Sequence, residues 1–237
     1  MSVEIKEVLG GTKEEIESNK YNIWIGISLG NKSFTKELIK EYIGYALKFT
    51  REDVLVVIPD RLHAVNIEVR DRRSKLSAHR KAWKIGDEKE LEVKSIVLDF
   101  AKEDRDRIII ARWHELQTKY FEYRLEVVFD EFEKKGDFYN AVMDIVKDNI
   151  KNSEKTFTIL EQEKMANYIL YELPILINGA NYGGPRSGKR YECIIYPGIG
   201  KLDYLIMDLH EGKKFPEFSE DLYINKTKVV IAEVYVK

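Results

Sequence analysis

The sequence has little of what cross-links a secreted protein or anchors a membrane protein. Cys193 is its single cysteine, so no internal disulfide can form, which suits a reducing cytosol. No apolar run reaches the ~18 residues that span a bilayer, and Met1-Ser2-Val3-Glu4 lacks the apolar stretch of a signal peptide. We therefore expect a cytoplasmic protein without a membrane-spanning segment.

Signatures of metal and nucleotide binding are missing as well. The four histidines are scattered, and neither paired cysteines nor an H-x-x-x-H spacing supplies metal ligands. Residues 183–190 come near the P-loop pattern, but Arg190 occupies the position of the Ser or Thr that holds Mg²⁺. The sequence thus predicts no metal site, and an ordinary basic loop at residues 183–190.

Charge is nearly balanced over the chain but not along it. Residues 61–84 carry eight basic residues against Glu68 and Asp71, a net charge of +6, whereas the whole chain has a net charge of −2. The eight are Arg61, Arg70, Arg72, Arg73, Lys75, Arg80, Lys81 and Lys84. We call residues 61–84 the basic segment. It indicates a surface that binds a polyanion, the alternative being an ordinary solvated helix face.

Apolar patterns alternate between strand and helix. Residues 21–28 alternate as in a strand, residues 35–47 have helical spacing, and residues 53–59 suit a strand buried on both faces, so that a βαβ unit results. Further strands are predicted at residues 107–113, 192–196, 204–208 and 228–236, and further helices at 114–135, 137–150 and 158–173, besides a basic helix that ends near Gly86. We expect a single α/β domain over residues 1–237, with a mostly parallel sheet.

Residues 26–30 read G-I-S-L-G, the G-x-S-x-G pattern of the nucleophile elbow in α/β-hydrolases. That elbow follows several strands, and only 25 residues precede Gly26. Asp203 or Asp208 with His210 has the order of a catalytic triad, but His210 lies in a predicted surface turn. Ser28 does follow a strand directly, at the end where parallel sheets bind ligands.

Tyr168 and Glu172 form a second constellation. Their i,i+4 spacing places both on one helix face, beside Ile169, Leu170 and Leu173. A carboxylate on a partly apolar face is costly unless a cation or a hydrogen-bond donor meets it. The two side chains indicate either a Tyr–Glu pair on the helix surface or a site that grips the ammonium group of a ligand.

Together these stretches resemble the cyclodipeptide synthase family. The matching motifs are Gly26-Ile27-Ser28-Leu29-Gly30-Asn31, Tyr168-x-x-x-Glu172-x-Pro174 and Tyr196-Pro197, with the basic helix between the second and third predicted strands. They occur in the order of the family between about residues 21 and 210. The resemblance implies a Rossmann-like domain, with helices on both faces of its sheet, similar to the catalytic domains of class I tyrosyl- and tryptophanyl-tRNA synthetases.

The family implies an activity and roles for particular residues. Its members join the amino acids of two aminoacyl-tRNAs into a cyclic dipeptide, without a metal or nucleotide cofactor. By resemblance, Ser28 is the nucleophile that forms an aminoacyl-enzyme, Tyr168 and Glu172 hold the amino group, and Tyr196 assists the proton transfer that closes the ring. Predicted substrate-binding residues are Gly26, Asn31, Val57, Tyr171 and Pro197. Predicted tRNA-binding residues are Arg70, Arg72, Arg73, Lys75, Arg80, Lys81 and Lys84. We expect a monomer.

The sequence combines features of two branches of the family. One branch carries Asn three residues after the nucleophile and Tyr-His later, and the other lacks that Asn and carries Tyr-Pro. This chain has both Asn31 and Tyr196-Pro197, which leaves the role of Asn31 open between catalysis and support of the turn.

Two other functions use part of the same residues. An RNA-binding module with a synthetase-like fold and no chemistry needs the basic segment but not Ser28. A serine ester hydrolase needs Ser28 and a histidine but not the basic segment. The identity of the two amino acids is not predicted, although Ile27, Val57 and Pro59 are candidates for the pocket wall by position.

Overall fold

The computed structural model describes residues 3–31, 34–116, 119–183, 188–212, 214–224 and 228–237. The strands are β1 (Val3–Leu9), β2 (Ile23–Gly26), β3 (Val54–Ile58), β4 (Ile108–Arg112), β5 (Ala180–Asn181), β6 (Arg190–Tyr191), β7 (Cys193–Tyr196) and β8 (Val230–Val236). The helices are α1 (Lys13–Glu17), α2 (Lys36–Phe49), α3 (Asp60–Arg70), α4 (Lys75–Val97), α5 (Lys102–Arg105), α6 (Lys119–Glu133), α7 (Asp137–Ile150), α8 (Ile159–Leu176), α9 (Lys201–Glu211) and α10 (Pro216–Asp221). None of them is long and apolar enough to cross a bilayer, as far as the chain is described.

Six strands form one sheet in the order β1-β8-β7-β2-β3-β4. All neighbouring strands in it are parallel except β1, which runs antiparallel to β8. The prediction of a mostly parallel sheet is confirmed. From β2 the chain builds β3 and β4 on one side, and it later adds β7 and β8 on the other. The carboxyl ends of β2 and β7 therefore flank the position where open α/β sheets bind their ligands.

Apolar cores lie on both faces of this sheet. Trp24, Leu55 and Val57 belong to a core shared with α6, α7, α8 and α9. Alternate residues such as Ile25 and Val56 point to the opposite core, shared with α2 and the end of α4. Every residue of β3 is buried, because helices cover it on both sides. The expected helices on both faces are present.

The basic segment forms two helices rather than one. The first, α3, ends at Arg70, and Arg72 has a left-handed backbone with φ of 51°. Ser74 then caps α4 by accepting a hydrogen bond from the backbone N–H of Ser77. The prediction that the helix ends near Gly86 was wrong, because α4 continues through Gly86 to Val97.

Three other predictions differ from the structure. Residues 204–208, predicted as a strand, lie inside α9, where Leu205, Ile206 and Leu209 are buried at helical spacing. Helix α8 does not stop before Pro174 but runs through it to Leu176. The N-terminal segment, for which no strand was predicted, forms β1 at the sheet edge. The five residues 204–208 are too few to show the helical period of α9. Strand β1 forms because it pairs with β8, which lies more than 200 residues later in the chain.

Arg112 connects β4 to both helices of the basic segment. Its side chain is buried and donates hydrogen bonds to Asp60 (2.7 Å), Asp87 (2.8 Å) and Glu90 (2.9 Å). Asp60 begins α3, whereas the other two carboxylates lie on α4. Gly86 of α4 faces the same cluster and leaves room for it: a Cβ there would lie 2.5 Å from Arg112 Nη2 and 2.7 Å from Asp60 Cβ.

We predict that Gly86→Ala destabilises the protein although alanine is the better helix former by about 1 kcal/mol. The added methyl group would push Arg112 away from Asp60, and overpacking of this kind costs about 1–3 kcal/mol. We expect the Tm in thermal unfolding to fall by several degrees. Gly44→Ala inside α2 is the matched control, since a Cβ there meets nothing nearer than Phe100 Cε1 at 3.8 Å. An unchanged or higher Tm for Gly86→Ala would contradict the proposed close approach.

Candidate active site

A cavity of about 1220 Å³ opens beyond the carboxyl ends of β2 and β7. Its wall comes from β2, β3 and β7, from α3, α7 and α8, and from the first turn of α9. It brings together these predicted site residues: Gly26, Ser28, Asn31, Val57, Arg70, Tyr168, Glu172 and Tyr196. Ile27 and Pro59, also proposed for the pocket wall, line it as well. Ser28 and Tyr196, which are 168 positions apart in the sequence, share one site because the sheet order places β2 beside β7.

Ser28 lies two residues beyond β2 in a tight turn. The backbone N–H of Ile27 donates to Val57 O (3.0 Å), which extends the pairing of β2 with β3 by one residue. The N–H of Asn31 donates to Ser28 O (3.2 Å) and closes the turn. The backbone of Ser28 is not left-handed, so the turn lacks the sharp strain of a nucleophile elbow. The hydrogen bond that closes the turn uses the backbone of Asn31 and does not depend on its side chain, and the residue also lines the cavity.

The hydroxyl group of Tyr196 connects β7 to this turn. Ser28 and Asn31 both hydrogen-bond to it through their side chains. Burial raises the pKa of Tyr196, and the hydrogen bond from Ser28 opposes that shift while the nearby Glu172 adds to it. The ring packs against Phe34 with centroids 5.6 Å apart. The partner of the Ser28 hydroxyl is therefore a phenol and not a histidine.

Tyr168 and Glu172 share one face of α8, as their spacing predicted, and that face looks into the cavity. Burial raises the pKa of Glu172 to about 8, and the negative charge of Asp203 adds to the shift. No hydrogen bond or ion pair joins the Glu172 carboxyl to the described residues. Burial, together with Glu172 and Tyr196, also raises the pKa of Tyr168. The cavity thus holds a carboxyl group that lacks a protein cation.

Sequence reasoning missed seven polar residues of the cavity, namely His63, Asn66, Asp148, Asn149, Asn152, Lys201 and Asp203. Asp203 accepts a hydrogen bond from the backbone N–H of Gly200 (2.8 Å) at the start of α9. Burial raises the pKa of Asp203, and the Gly200 N–H opposes that shift. The G-x-x-D spacing at residues 200–203 signals a helix N-terminus, but the strand predicted at residues 204–208 concealed it.

Two residues predicted to bind substrate lie outside the cavity wall. Tyr171 precedes Glu172 directly, so it points about 100° away around α8. Its ring packs on Phe129 with centroids 5.4 Å apart, and 36% of the residue is exposed. Pro197 follows Tyr196 but does not line the cavity. That Tyr171 and Pro197 bind substrate therefore has no support from the cavity and stays a prediction.

The residues predicted to bind tRNA spread over α3, α4 and the turn between them. Six are exposed: Arg70, Arg72, Arg73, Lys75, Arg80 and Lys84. Lys81 is half-buried and donates to Asp71 at 2.7 Å. Arg70 lines the rim of the cavity. Exposed basic side chains thus occur from α4 to Arg70 at the mouth of the site.

The competing motifs do not assemble. His210 lies in the last turn of α9 and interacts with the backbone of Ile177, whereas Asp208 pairs with Lys214, so no triad forms around Ser28. Of residues 183–190, positions 184–187 lie outside the described residues, and Lys189 is paired with Asp53 at 2.6 Å. The described residues contain no group of three potential metal ligands among His, Cys, Asp and Glu.

Comparison with known proteins agrees with this geometry. Residues 7–187 match the family model described as cyclodipeptide synthase, while no curated protein matches. Solved structures with the same fold include a cyclo(L-leucyl-L-phenylalanyl) synthase (18% identity over 100% of this chain and 99% of the other, TM-score 0.71). Another is a Mycobacterium tuberculosis protein described as showing that cyclodipeptide synthetases are related to type I tRNA synthetases (17% identity over 95% of this chain and 91% of the other, TM-score 0.71). A third is a cyclodipeptide synthase from Candidatus Glomeribacter gigasporarum bound to Phe-tRNAPhe (16% identity over 91% of this chain and 88% of the other, TM-score 0.60). With three quarters of its length matched by the family model, the chain belongs to the cyclodipeptide synthase family.

Proposed function

We propose that this protein takes the aminoacyl groups of two charged tRNAs and joins them into a cyclic dipeptide, with Ser28 as the covalent nucleophile. The observation that carries the proposal is the cavity that Ser28 and Glu172 share. The Ser28 hydroxyl group is hydrogen-bonded to Tyr196, and the Glu172 carboxyl group is paired with no cation of the described residues. The similar synthase with bound Phe-tRNAPhe supports aminoacyl-tRNA as the substrate class.

In the first step the Ser28 oxygen attacks the carbonyl carbon of an aminoacyl-tRNA. The new ester bond to Ser28 replaces the ester bond to the tRNA, and the serine proton leaves with the terminal tRNA hydroxyl. One ester is exchanged for another, so the step needs no nucleotide cofactor. Covalent catalysis of this kind divides one difficult reaction into easier ones.

Glu172 suits the amino group of the bound aminoacyl moiety. With its pKa raised to about 8, the carboxyl group is mostly protonated at neutral pH when the site is empty. A substrate ammonium group beside it favours the carboxylate. The pKa of α-amino groups, roughly 8, is close to that of Glu172 in the empty site, so both groups can exchange protons near neutral pH in general acid–base catalysis. Tyr168, one helical turn away, adds a hydroxyl group to the same grip.

Two amine attacks complete the product. The free amine of the second aminoacyl-tRNA attacks the Ser28 ester, which forms the peptide bond and displaces Ser28. The dipeptidyl group is then still an ester of the second tRNA. The Ser28 oxygen attacks this ester, so that the dipeptidyl group is transferred to Ser28 and the second tRNA leaves. Its own amine finally attacks this ester, closes the diketopiperazine ring and frees Ser28. The Tyr196 hydroxyl, bonded to Ser28, is placed to return the proton to the serine oxygen.

The first prediction concerns the covalent intermediate. Incubation with a single kind of aminoacyl-tRNA followed by acid quench should leave the protein heavier by one aminoacyl residue, located on Ser28 by peptide mass spectrometry. Ser28→Ala should show neither adduct nor cyclic dipeptide, whereas Ser95→Ala, a distant serine on α4, should show both. An adduct or full activity in Ser28→Ala would reject Ser28 as the nucleophile. A wild-type protein that binds tRNA but yields neither adduct nor cyclic dipeptide would instead be an RNA-binding module.

The second prediction separates a functional from a structural Glu172. In the native protein the Glu172 carboxyl group keeps its proton up to about pH 8, whereas in the unfolded chain it keeps the proton only up to about pH 4.5. The free energy of unfolding therefore falls as the pH rises through this window, by on the order of a few kcal/mol. Glu172→Gln avoids this decrease. Its Tm should equal that of the wild type near pH 4.5 and exceed it by several degrees at pH 8.

The same variant should lose activity. A charge-assisted contact contributes about 1.5–3 kcal/mol, and each ~1.4 kcal/mol is tenfold in rate, so we expect cyclic dipeptide formation to fall by about 10- to 150-fold. Asp99→Asn, an exposed carboxylate paired with Lys40, serves as the control. A lower Tm with activity retained would instead indicate a structural carboxylate.

The third prediction concerns the basic segment. The double variant Arg80→Ala/Lys84→Ala should raise the KM for aminoacyl-tRNA and reduce the slope of log Kd against log salt by about 1 for each phosphate that the variant no longer binds. Lys40→Ala on α2 is the control outside the basic segment. Circular dichroism must show that the double variant folds. An unchanged salt slope in the folded variant would place the tRNA elsewhere.

A further inference from the structure

A second, smaller cavity of about 250 Å³ lies between α3 and α4 in the middle of the basic segment. It is lined by Asp60 and Arg61 from α3 and by His79, Ala82 and Trp83 from α4. None of these residues belongs to the wall of the Ser28 cavity. The volume is large enough for one aromatic heterocycle and too small for a base pair.

Trp83 is the unusual member of this cavity. It is 47% exposed, whereas the other two tryptophans, Trp24 and Trp113, are 3% and 2% exposed. The guanidinium groups of Arg61 and Arg112 lie 5.7 Å and 5.4 Å from the centre of the Trp83 ring. The His114 ring stacks on Trp83 with centroids 6.2 Å apart, and His114 does not line the small cavity. Large aromatic rings are normally buried for their apolar area. An exposed ring flanked by a cation is the arrangement with which proteins stack unpaired bases next to a phosphate.

Asp60, at the floor of the cavity, has an unfilled acceptor. Its side chain is fully buried, and its Oδ2 accepts the hydrogen bond from Arg112 at 2.7 Å. Its other oxygen, Oδ1, is buried without a hydrogen-bond partner among the described residues. A buried acceptor without a donor is costly. The exocyclic amino groups of bases are donors that carboxylates bind in nucleic-acid complexes.

The surroundings select an anionic ligand. His79 is exposed one helical turn before Trp83, and the exposed Arg80 and Lys84 flank the ring along α4. A neutral or cationic ligand gains nothing from these cations, whereas an RNA backbone gains from each of them. An aromatic ring, an unfilled acceptor and a cationic rim thus occur together in the small cavity.

We propose that this small cavity binds one unpaired nucleobase of the RNA substrate, stacked on Trp83. The inference rests on the proposed function, since the RNA is then the tRNA that delivers the aminoacyl group. Arg61 holds the phosphate next to the stacked base. The base supplies a contact that does not depend on salt, beside the phosphate contacts of the basic segment.

Intrinsic fluorescence tests the contact, since Trp83 is the exposed tryptophan. Deacylated tRNA should quench the emission of the wild-type protein, with the Trp83→Phe variant supplying the correction for absorbance and for the two buried tryptophans. A blunt-ended RNA duplex of similar length should bind to the basic residues and leave the emission unchanged. Quenching by the duplex, or bound tRNA without quenching, would overturn the assignment of a base to this cavity.

Affinity tests whether the stacked base contributes to binding. In fluorescence anisotropy with labelled tRNA, Trp83→Ala should raise the Kd by about 5- to 150-fold, which is the effect of removing one base–aromatic stack. The salt slope should stay as in the wild type, because the variant retains every basic side chain that binds a phosphate. Leu91→Ala is the matched control on the same helix, at 67% exposure and outside the basic segment. Equal Kd values for Trp83→Ala and Leu91→Ala would overturn the inference.

The outcome for the wild type keeps the two proposals apart. If the wild-type protein binds tRNA and forms cyclic dipeptide while Trp83→Ala binds normally, the base-binding cavity is wrong and the proposed function stands. If the wild-type protein neither binds tRNA nor forms a product, the proposed function itself fails. Trp83→Phe, which keeps an aromatic ring, should retain more affinity than Trp83→Ala, and a lower affinity for Trp83→Phe would contradict stacking.

Discussion

The ion pairs of Arg112 are the interaction on which both cavities depend. This one buried guanidinium group holds Asp60 at the start of α3 and two carboxylates of α4 against the end of β4. Removing one partner of such a cluster leaves an uncompensated buried charge, which is strongly destabilising. Helix α3 then carries Arg61 into the small cavity and His63 and Arg70 into the large one. A single anchor therefore orients the RNA-facing surface and one wall of the Ser28 cavity.

The large cavity has the opposite electrostatic character. Glu172 and Asp203 bring carboxyl groups into a space where they are poorly solvated, and burial raises the pKa of both. A fold optimised for stability alone would pair or remove such groups. Among the described residues no cation pairs with Glu172, and an unpaired buried carboxyl group suits a site for a positively charged ligand. A basic exterior that attracts RNA thus surrounds an acidic interior suited to an amino group.

Much of the fold was predictable because its signals are local. The continuous apolar run at β3, the helical spacing of α2 and α7, and the i,i+4 pair Tyr168–Glu172 all appear in the structure as the sequence indicated. The errors arose where a local signal was weak or misleading. Pro174 lies inside a helix, a short window concealed α9, and β1 exists because β8 pairs with it. Tyr171 was predicted to bind substrate by its proximity in sequence, but helix geometry turns it away from the cavity, so that role stays a prediction.

By itself, the sequence determined which residues share an element: Ser28 follows a strand, and Tyr168 and Glu172 share a helix face. Only the tertiary structure decided which elements meet. The sheet order places β7 beside β2, which brings Tyr196 to the hydroxyl group of Ser28. The same order places Arg112 beneath α4, where the missing side chain of Gly86 leaves room for the guanidinium group. Spacing along the chain fixes directions within one helix or strand, but contacts between distant residues follow from how the strands pair and how their two faces are covered.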